Sequence, residues 1–226
     1  MAGSGLTYPE PVRQEEGMAH KFYDLAFTPK VKAIQDHYGT RKHYARFEAG
    51  ESEFHGLTDF EKDFVTGRDG FYLATVNEEG QPYIQFRGGP NGFLKVIDDL
   101  TLGYADFRGN LQYVSVGNLS GNDRASLFLM DYANQRRLKI FATVEVIDAA
   151  SAPDMIEKLR MPGYKAKIER AMILHVKAFD WNCPQHITPR FTLDEIKELS
   201  APIYEHIARL EAENGLLKQK LKAKAS

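Results

Sequence analysis

Hydrophobic and polar positions change period along the chain, and each change predicts a different kind of element. Up to about residue 67 the spacing is helical. Val31 and Ile34 follow Thr28-Pro29, an N-cap with proline just inside, and Gly39 supplies a stop. Thr58 and Glu61 stand at capping-box spacing ahead of Phe64 and Val65, with Phe60 on the same stripe and Gly67 at its end. Residues 41–53 are polar and predict a loop. Residues 1–20, rich in glycine, proline and charge, predict a loose arm.

From Gly70 the period falls to two. Residues 71–76 and 82–87 read as strands around the turn Asn77-Glu78-Glu79-Gly80. Residues 93–97 and 100–104 form a second predicted hairpin, and 125–132 with 136–147 a third. In the last strand Leu138, Ile140, Ala142, Val144 and Val146 alternate with Lys139, Thr143 and Glu145, the pattern of a half-buried strand. A short helix over 152–160 precedes a long strand over 171–181. Hairpin-like spacing with helices at the margins predicts a mainly β fold, a closed or nearly closed antiparallel barrel.

The tail reads as a separate unit. Thr192 and Glu195 repeat the capping-box spacing before Leu193, Ile196 and Leu199, and Ser200 with Pro202 predicts the start of a new helix. Ile203, Ile207, Leu210, Asn214, Leu217 and Leu221 then recur at heptad spacing, with Asn214 at an a position. Glu213 falls at g and Lys218 at the following e, which suits a parallel two-stranded coiled coil. The same stripe would also suit packing on the chain's own domain. The predicted divisions are an arm and helix over 1–56, a barrel over 57–190, and C-terminal helices over 191–226.

Composition narrows the function classes. Lys and Arg number 29 and Asp and Glu 31, a net charge of −2 over 226 residues, which argues against nucleic-acid binding by bulk charge. The single cysteine, Cys183, allows no internal disulfide. No apolar run approaches membrane-spanning length, and residues 1–13 lack the apolar segment of a secretory signal, so the expectation is a cytoplasmic protein without membrane contact. The sequence lacks phosphate-loop, dinucleotide, zinc-helix and nucleophile-elbow signatures, and its seven histidines show no metal-ligand spacing. A Cys183–His186 pair is conceivable as a nucleophile, but such pairs are built in space, seldom by neighbours. No catalytic residue is assigned.

Two segments carry candidate chemistry. On a strand, Gln85 and Arg87 share one face and run into Gly88-Gly89, where bare backbone lets a ligand approach. An arginine there is a good phosphate seat because its planar fork meets phosphate oxygens in pairs. Asn110, Ser115 and Asn118 could supply neutral donors to the same anion. The second segment, 180–190, clusters the only tryptophan, Trp181, with amide, imidazole and guanidinium groups, and two prolines stiffen it. That set suits a planar heteroaromatic ligand with hydrogen-bonding edges. Each segment also has a plain structural use, as a glycine turn and as a loop closing the last strand. Arg136 and Arg137 point to opposite faces, so one of them at most serves a given site.

The order of these segments resembles the pyridoxamine 5'-phosphate oxidase-like family of FMN-binding split β-barrels. The residues that carry the likeness are the hairpin 71–87, then 100–106, Asn122-Asp123-Arg124 before one strand, Arg136-Arg137 opening the next, and the late Trp181 and Arg190. The resemblance implies an antiparallel split β-barrel and a homodimer with FMN at the subunit interface. It assigns Arg87 to the flavin phosphate, Gln85 and Gly88 to the length of the flavin, and Asn110, Ser115 and Asn118 to a second phosphate-binding cluster. It brings Arg137, Trp181 and Arg190 to the flavin from the partner. The chain departs from the oxidase proper at Gly88-Gly89-Pro90 and in lacking an Arg-Lys pair before Asn122. These departures argue against pyridoxal phosphate synthesis and for a related branch whose substrate the sequence does not name. Three functions stay open: an FMN-dependent oxidoreductase, a protein that holds flavin, deazaflavin or haem without turnover, and a coiled-coil interaction protein with the barrel as scaffold.

Overall fold

The computed structural model describes residues 21–48, 54–181 and 185–225; the arm predicted over 1–20, part of the loop predicted over 41–53, and Cys183 lie outside them. The chain divides into two compact units, Met1–Ile187 and Thr188–Ser226.

Three short helices open the first unit: α1 (Lys21–Ala26), α2 (Pro29–His37) and α3 (Arg41–Ala45). Thr28 caps α2 by accepting from the Val31 amide, and Gly39 takes the left-handed conformation just past its end, φ +73°. Helix α3 occupies part of the segment expected to be loop. It is tied down by the Glu48 carboxylate, which accepts from Arg41 and from Lys32 of α2. Such a bridge spans separate elements and leaves no periodic trace. Helix α4 (Asp59–Thr66) begins with the expected capping box, the Thr58 amide donating to Glu61 at 3.1 Å.

Seven strands follow: β1 (Gly70–Val76), β2 (Pro82–Gly88), β3 (Lys95–Asp98) and β4 (Thr101–Phe107), then helix α5 (Val114–Gly121), β5 (Arg124–Asp131) and β6 (Arg136–Asp148), and, after helix α6 (Pro153–Leu159), β7 (Ile168–Trp181). They form one antiparallel sheet in the order β2-β1-β5-β6-β7-β4-β3. The edges are β2 and β3, so backbone hydrogen bonds do not close a ring. The sheet is nonetheless rolled. The ring of Phe71 on β1 lies 5.4 Å from that of Tyr104 on β4, and Arg87 of β2 reaches Asp106 of β4 at 2.7 Å, although these strands sit toward opposite ends of the order. The barrel anticipated from the strand spacing is thus an antiparallel split barrel, open in its backbone and bridged by side chains.

Inside the roll, Leu73, Leu127, Leu129, Leu138 and Ile140 are fully buried. Burying each stabilises the fold by about 1.5–3 kcal/mol. Register follows from them: Leu127 pairs with Ile140 and Leu129 with Leu138, and a one-residue slip would turn this set outward. Outside the roll, Phe22 of α1 stacks on Phe141 at 4.5 Å and lies under the Lys139 ammonium. The outer face of β2-β1-β5 is barer. Ile84 and Phe86 are 63% and 59% exposed, beside half-buried Tyr72, Phe128 and Met130.

The second unit contains helix α7 (Leu193–Ala225), opened by the expected capping box between Thr192 and Glu195. The predicted break at Ser200-Pro202 is absent: α7 is one helix of 33 residues with Pro202 inside it. Proline there withholds its own donor from the Glu198 carbonyl and crowds it, a local cost that one long helix can carry, and Ser200 Oγ donates to the Ile196 carbonyl in the preceding turn. No helix among the described residues is long and apolar enough to cross a membrane.

Candidate functional site

Strand β2 alternates in an unusual sense. Its polar residues Gln85 and Arg87 turn inward and are half-buried, while Ile84 and Phe86 face outward. The inward face does not meet the apolar core. It meets a polar cleft of about 40 Å³ roofed by the loop after β4 and the first turn of α5.

Asp106, at the end of β4, anchors the cleft and is 2% exposed. Arg87 Nη1 donates to its Oδ1 at 2.7 Å, and Arg170 of β7 donates to its Oδ2 through Nε at 2.9 Å. Glu169 continues the network, accepting from Arg170 at 3.1 Å and pairing with Arg108 at 3.3 Å. Three guanidinium groups against two carboxylates leave one positive charge in excess. Burial works against the charge on Arg170, but the hydrogen bond to Asp106 and the nearby carboxylates outweigh it and raise its pKa. Arg87 keeps one group in reserve: its Nε is buried and has no hydrogen-bond partner. Burial also pushes the hydroxyl of Tyr104, behind this network, well above the usual tyrosine range.

The roof is strained. Leu111 and Tyr113 hold left-handed backbone conformations, φ +64° and +53°, that non-glycine residues rarely adopt. Arg170 lies 4.9 Å over the Tyr113 ring, and the Tyr113 hydroxyl contacts Glu169 at 3.3 Å, which together fix the loop. Tyr113 caps α5 without a side-chain hydrogen bond, so the first amides of the helix have no capping oxygen from it, and the residues of that turn, Val114, Ser115 and Val116, line the cleft. Ser115, 1% exposed, donates to Gln85 Oε1 at 3.0 Å and joins the roof to β2. Asn110 also lines the cleft, held by its contacts with Gln112.

Gln85, Arg87, Asn110 and Ser115 are therefore brought together, and the other expected residues lie elsewhere. The amide nitrogen of Asn118 donates to Thr75 Oγ1 at 3.0 Å and is turned into the sheet. Gly88 does not offer open backbone: a Cβ there would meet the Phe86 ring at 2.8 Å, and one on Gly89 would meet Phe93 at 2.7 Å. These glycines make room for the chain's own rings. Arg137 is on the outer face, with its guanidinium 5.9 Å from the Phe128 ring and a buried Nε that has no partner. Trp181 donates to Glu61 of α4 at 2.7 Å and packs edge-on against Phe64. Arg190 is exposed in the stretch ahead of α7, in the second unit. Asp106, Glu169, Arg170 and Tyr113 were not singled out in the sequence. A buried acid at the end of an otherwise apolar strand, GYADF, was the available signal. Among the described residues, no group of three or more His, Cys, Asp or Glu is placed to hold a metal.

A family model described as pyridoxamine 5'-phosphate oxidase matches residues 57–181, over half of the chain. The chain belongs to the pyridoxamine 5'-phosphate oxidase family. The matched region starts just ahead of α4 and ends with β7, so it contains the whole sheet and the cleft. No curated protein matches. Among solved structures, the chain is similar to a putative pyridoxamine 5'-phosphate oxidase from Lactobacillus delbrueckii at 18% identity, covering 57% of this chain and 96% of that one, TM-score 0.44. HupZ from Group A Streptococcus is 20% identical over 60% of this chain and 99% of its own, TM-score 0.41. An FMN-binding protein from Syntrophomonas wolfei is 13% identical over 66% and 97%, TM-score 0.43.

Proposed function

We propose that the protein is an FMN-dependent oxidoreductase of this family, working as a homodimer with the flavin between subunits. The observation that carries the reading is the cleft under β2. An arginine with a buried, unpartnered Nε faces a helix start without a capping oxygen, in a network with one excess positive charge. That donor set fits a phosphate: Arg87 presents its free Nε beside a guanidinium arm already held by Asp106, and the Asn110 amide and the first amides of α5 present neutral donors, while Ser115 fixes Gln85 beside them. The cleft has room for a phosphate-sized group and not for a tricyclic ring. The ring then lies beyond the mouth, where a second protomer completes the site. The bare apolar strip of Tyr72, Ile84, Phe86, Phe128 and Met130 is the surface such a protomer would cover. Arg137, at the rim of that strip, is the group that reaches the partner's flavin, with Trp181 and Arg190 as the family-implied contacts to the ring. Gln85 lies along the flavin, and Asn118 supports the cleft indirectly by holding α5 to β1 through Thr75. When bound, FMN supplies hydride or electron transfer, while these residues orient it and set its electrostatic surroundings.

A flavin held without turnover is the second reading. It is favoured by the pairing of both cleft carboxylates with arginine, which leaves neither as a ready acid or base. Reduction of the bound flavin by NADH or NADPH, followed by reoxidation, supports the enzyme; a flavin inert to both supports the holder. The site itself is tested by FMN titration. Arg87→Ala is expected to weaken FMN by about 2 kcal/mol, the loss of a charged hydrogen bond, while Asp106 keeps Arg170 as partner. Unchanged affinity removes Arg87 from the site.

A further inference from the structure

The second unit carries a surface that the flavin reading does not use. Because α7 runs unbroken from Leu193 to Ala225, its heptad seam extends a full two turns further back than the stretch after Pro202. With Asn214 at a, the a positions are Leu193, Ser200, Ile207, Asn214 and Leu221, and the d positions are Ile196, Ile203, Leu210, Leu217 and Lys224. Pro202 falls at c, away from the seam, so its missing donor and its ring face outward. The apolar members are all open: Leu193 is 77% exposed, Ile203 61%, Leu217 52% and Leu221 68%. A helix of about 50 Å whose apolar seam stays in water gains none of the tertiary packing on which helices in proteins rely.

We propose that α7 pairs with α7 of a second copy as a parallel, in-register coiled coil. Three g-to-e' pairs across the two copies agree with this register. Leu199 meets Tyr204, two exposed apolar side chains at 60% and 67%. His206 meets Glu211, and Glu213 meets Lys218, each joining a donor to a carboxylate. Asn214 decides the direction. In the parallel register it faces its own copy and both amides are satisfied. An antiparallel pair sets a against d', which would bury Asn214 against Ile203, Leu210 or Leu217 and leave its polar groups without partners. The pairing joins two chains through residues outside the sheet, so it holds or fails independently of the flavin site.

The test is disulfide trapping in the full chain with Cys183→Ser, comparing Leu217→Cys at d with Gln219→Cys at f. In a glutathione buffer, the two thiols of a Leu217→Cys pair are expected to show an effective concentration for one another at least about 100-fold above that of a Gln219→Cys pair. Adding Leu210→Lys to the Leu217→Cys chain is expected to bring it down to the Gln219→Cys level. Circular dichroism and a cooperative thermal transition on the same samples report that the barrel is folded. Equal trapping in the two variants, with the fold intact, overturns the coiled coil whatever FMN titration shows. So does trapping in neither, as an antiparallel pair would give.

Discussion

The centre of the sheet and its seam are built from opposite materials. Where β5, β6 and β7 pair, the roll is filled by leucine and isoleucine with no exposed surface and every strand has two neighbours. Where β2 approaches β4, no ladder forms, and the gap is bridged by Arg87, Asp106 and Arg170 under a strained roof. Apolar packing is non-directional and tolerates either arrangement. A buried carboxylate held by two guanidinium groups is costly to desolvate and returns little net stability over a well-packed apolar seam. The difference teaches that the apolar centre carries the fold and that the charged seam adds little net stability to it.

That contrast can be broken at both ends. The largest loss is expected from Asp106→Ala, which leaves two arginines facing each other in a buried place, at about 3–5 kcal/mol in denaturant unfolding. Leu129→Ala, at the fully buried centre, is expected to cost about 2–5 kcal/mol by lost burial and a residual cavity. The two should part in a second readout. The leucine variant keeps its FMN affinity while folded, whereas the aspartate variant, with its arginines released, does not. An Asp106→Ala protein with unaltered stability and affinity would show the seam to be neither a brace nor a site.

A smaller effect is expected away from both regions, between α2 and α3. The hydrogen bond from Arg41, joined by Lys32 and only partly opposed by burial, holds the Glu48 carboxyl at about 2, below its ordinary 4.5. A depressed folded-state pKa stabilises the fold fully above the unfolded value and loses that contribution as pH falls through the folded one. The gap in thermal midpoint between wild type and Glu48→Gln is therefore expected to be constant above about pH 5 and to close between pH 4.5 and 2. A gap that persists at pH 2 would mean that the bridge does not depend on the ionised carboxylate.

Much of this architecture is legible in the sequence, and for a physical reason. Alternation such as Leu138, Ile140, Ala142 and Val144 is a property of neighbouring residues, so each strand announces itself. Caps do too, as Thr28 and Thr58 show. Pairings between distant residues leave no such mark. Asp106 finds its partners 19 residues before it and 64 after, so it reads as an ordinary acid at a strand end. Helix α5 is hidden because Val114 and Val116 favour strand locally, while its ties run to distant strands, Ser115 to Gln85 of β2 and Asn118 to Thr75 of β1. Gly88 and Gly89 suggest open backbone when read alone, yet the space beside them is filled by Phe86 and Phe93. Pro202 suggests a helix start, yet the helix passes through it.

The central claim is that the cleft under β2 seats a phosphate, and comparing FMN with riboflavin on the intact protein tests it most directly. The two ligands share the ring and differ only in the phosphate. Calorimetric titration is expected to show FMN bound at least about 30-fold more tightly, the equivalent of one or two charged hydrogen bonds, with Arg87→Ala erasing most of the difference. Equal affinity for the two ligands, with the protein folded and the flavin bound, would contradict the account.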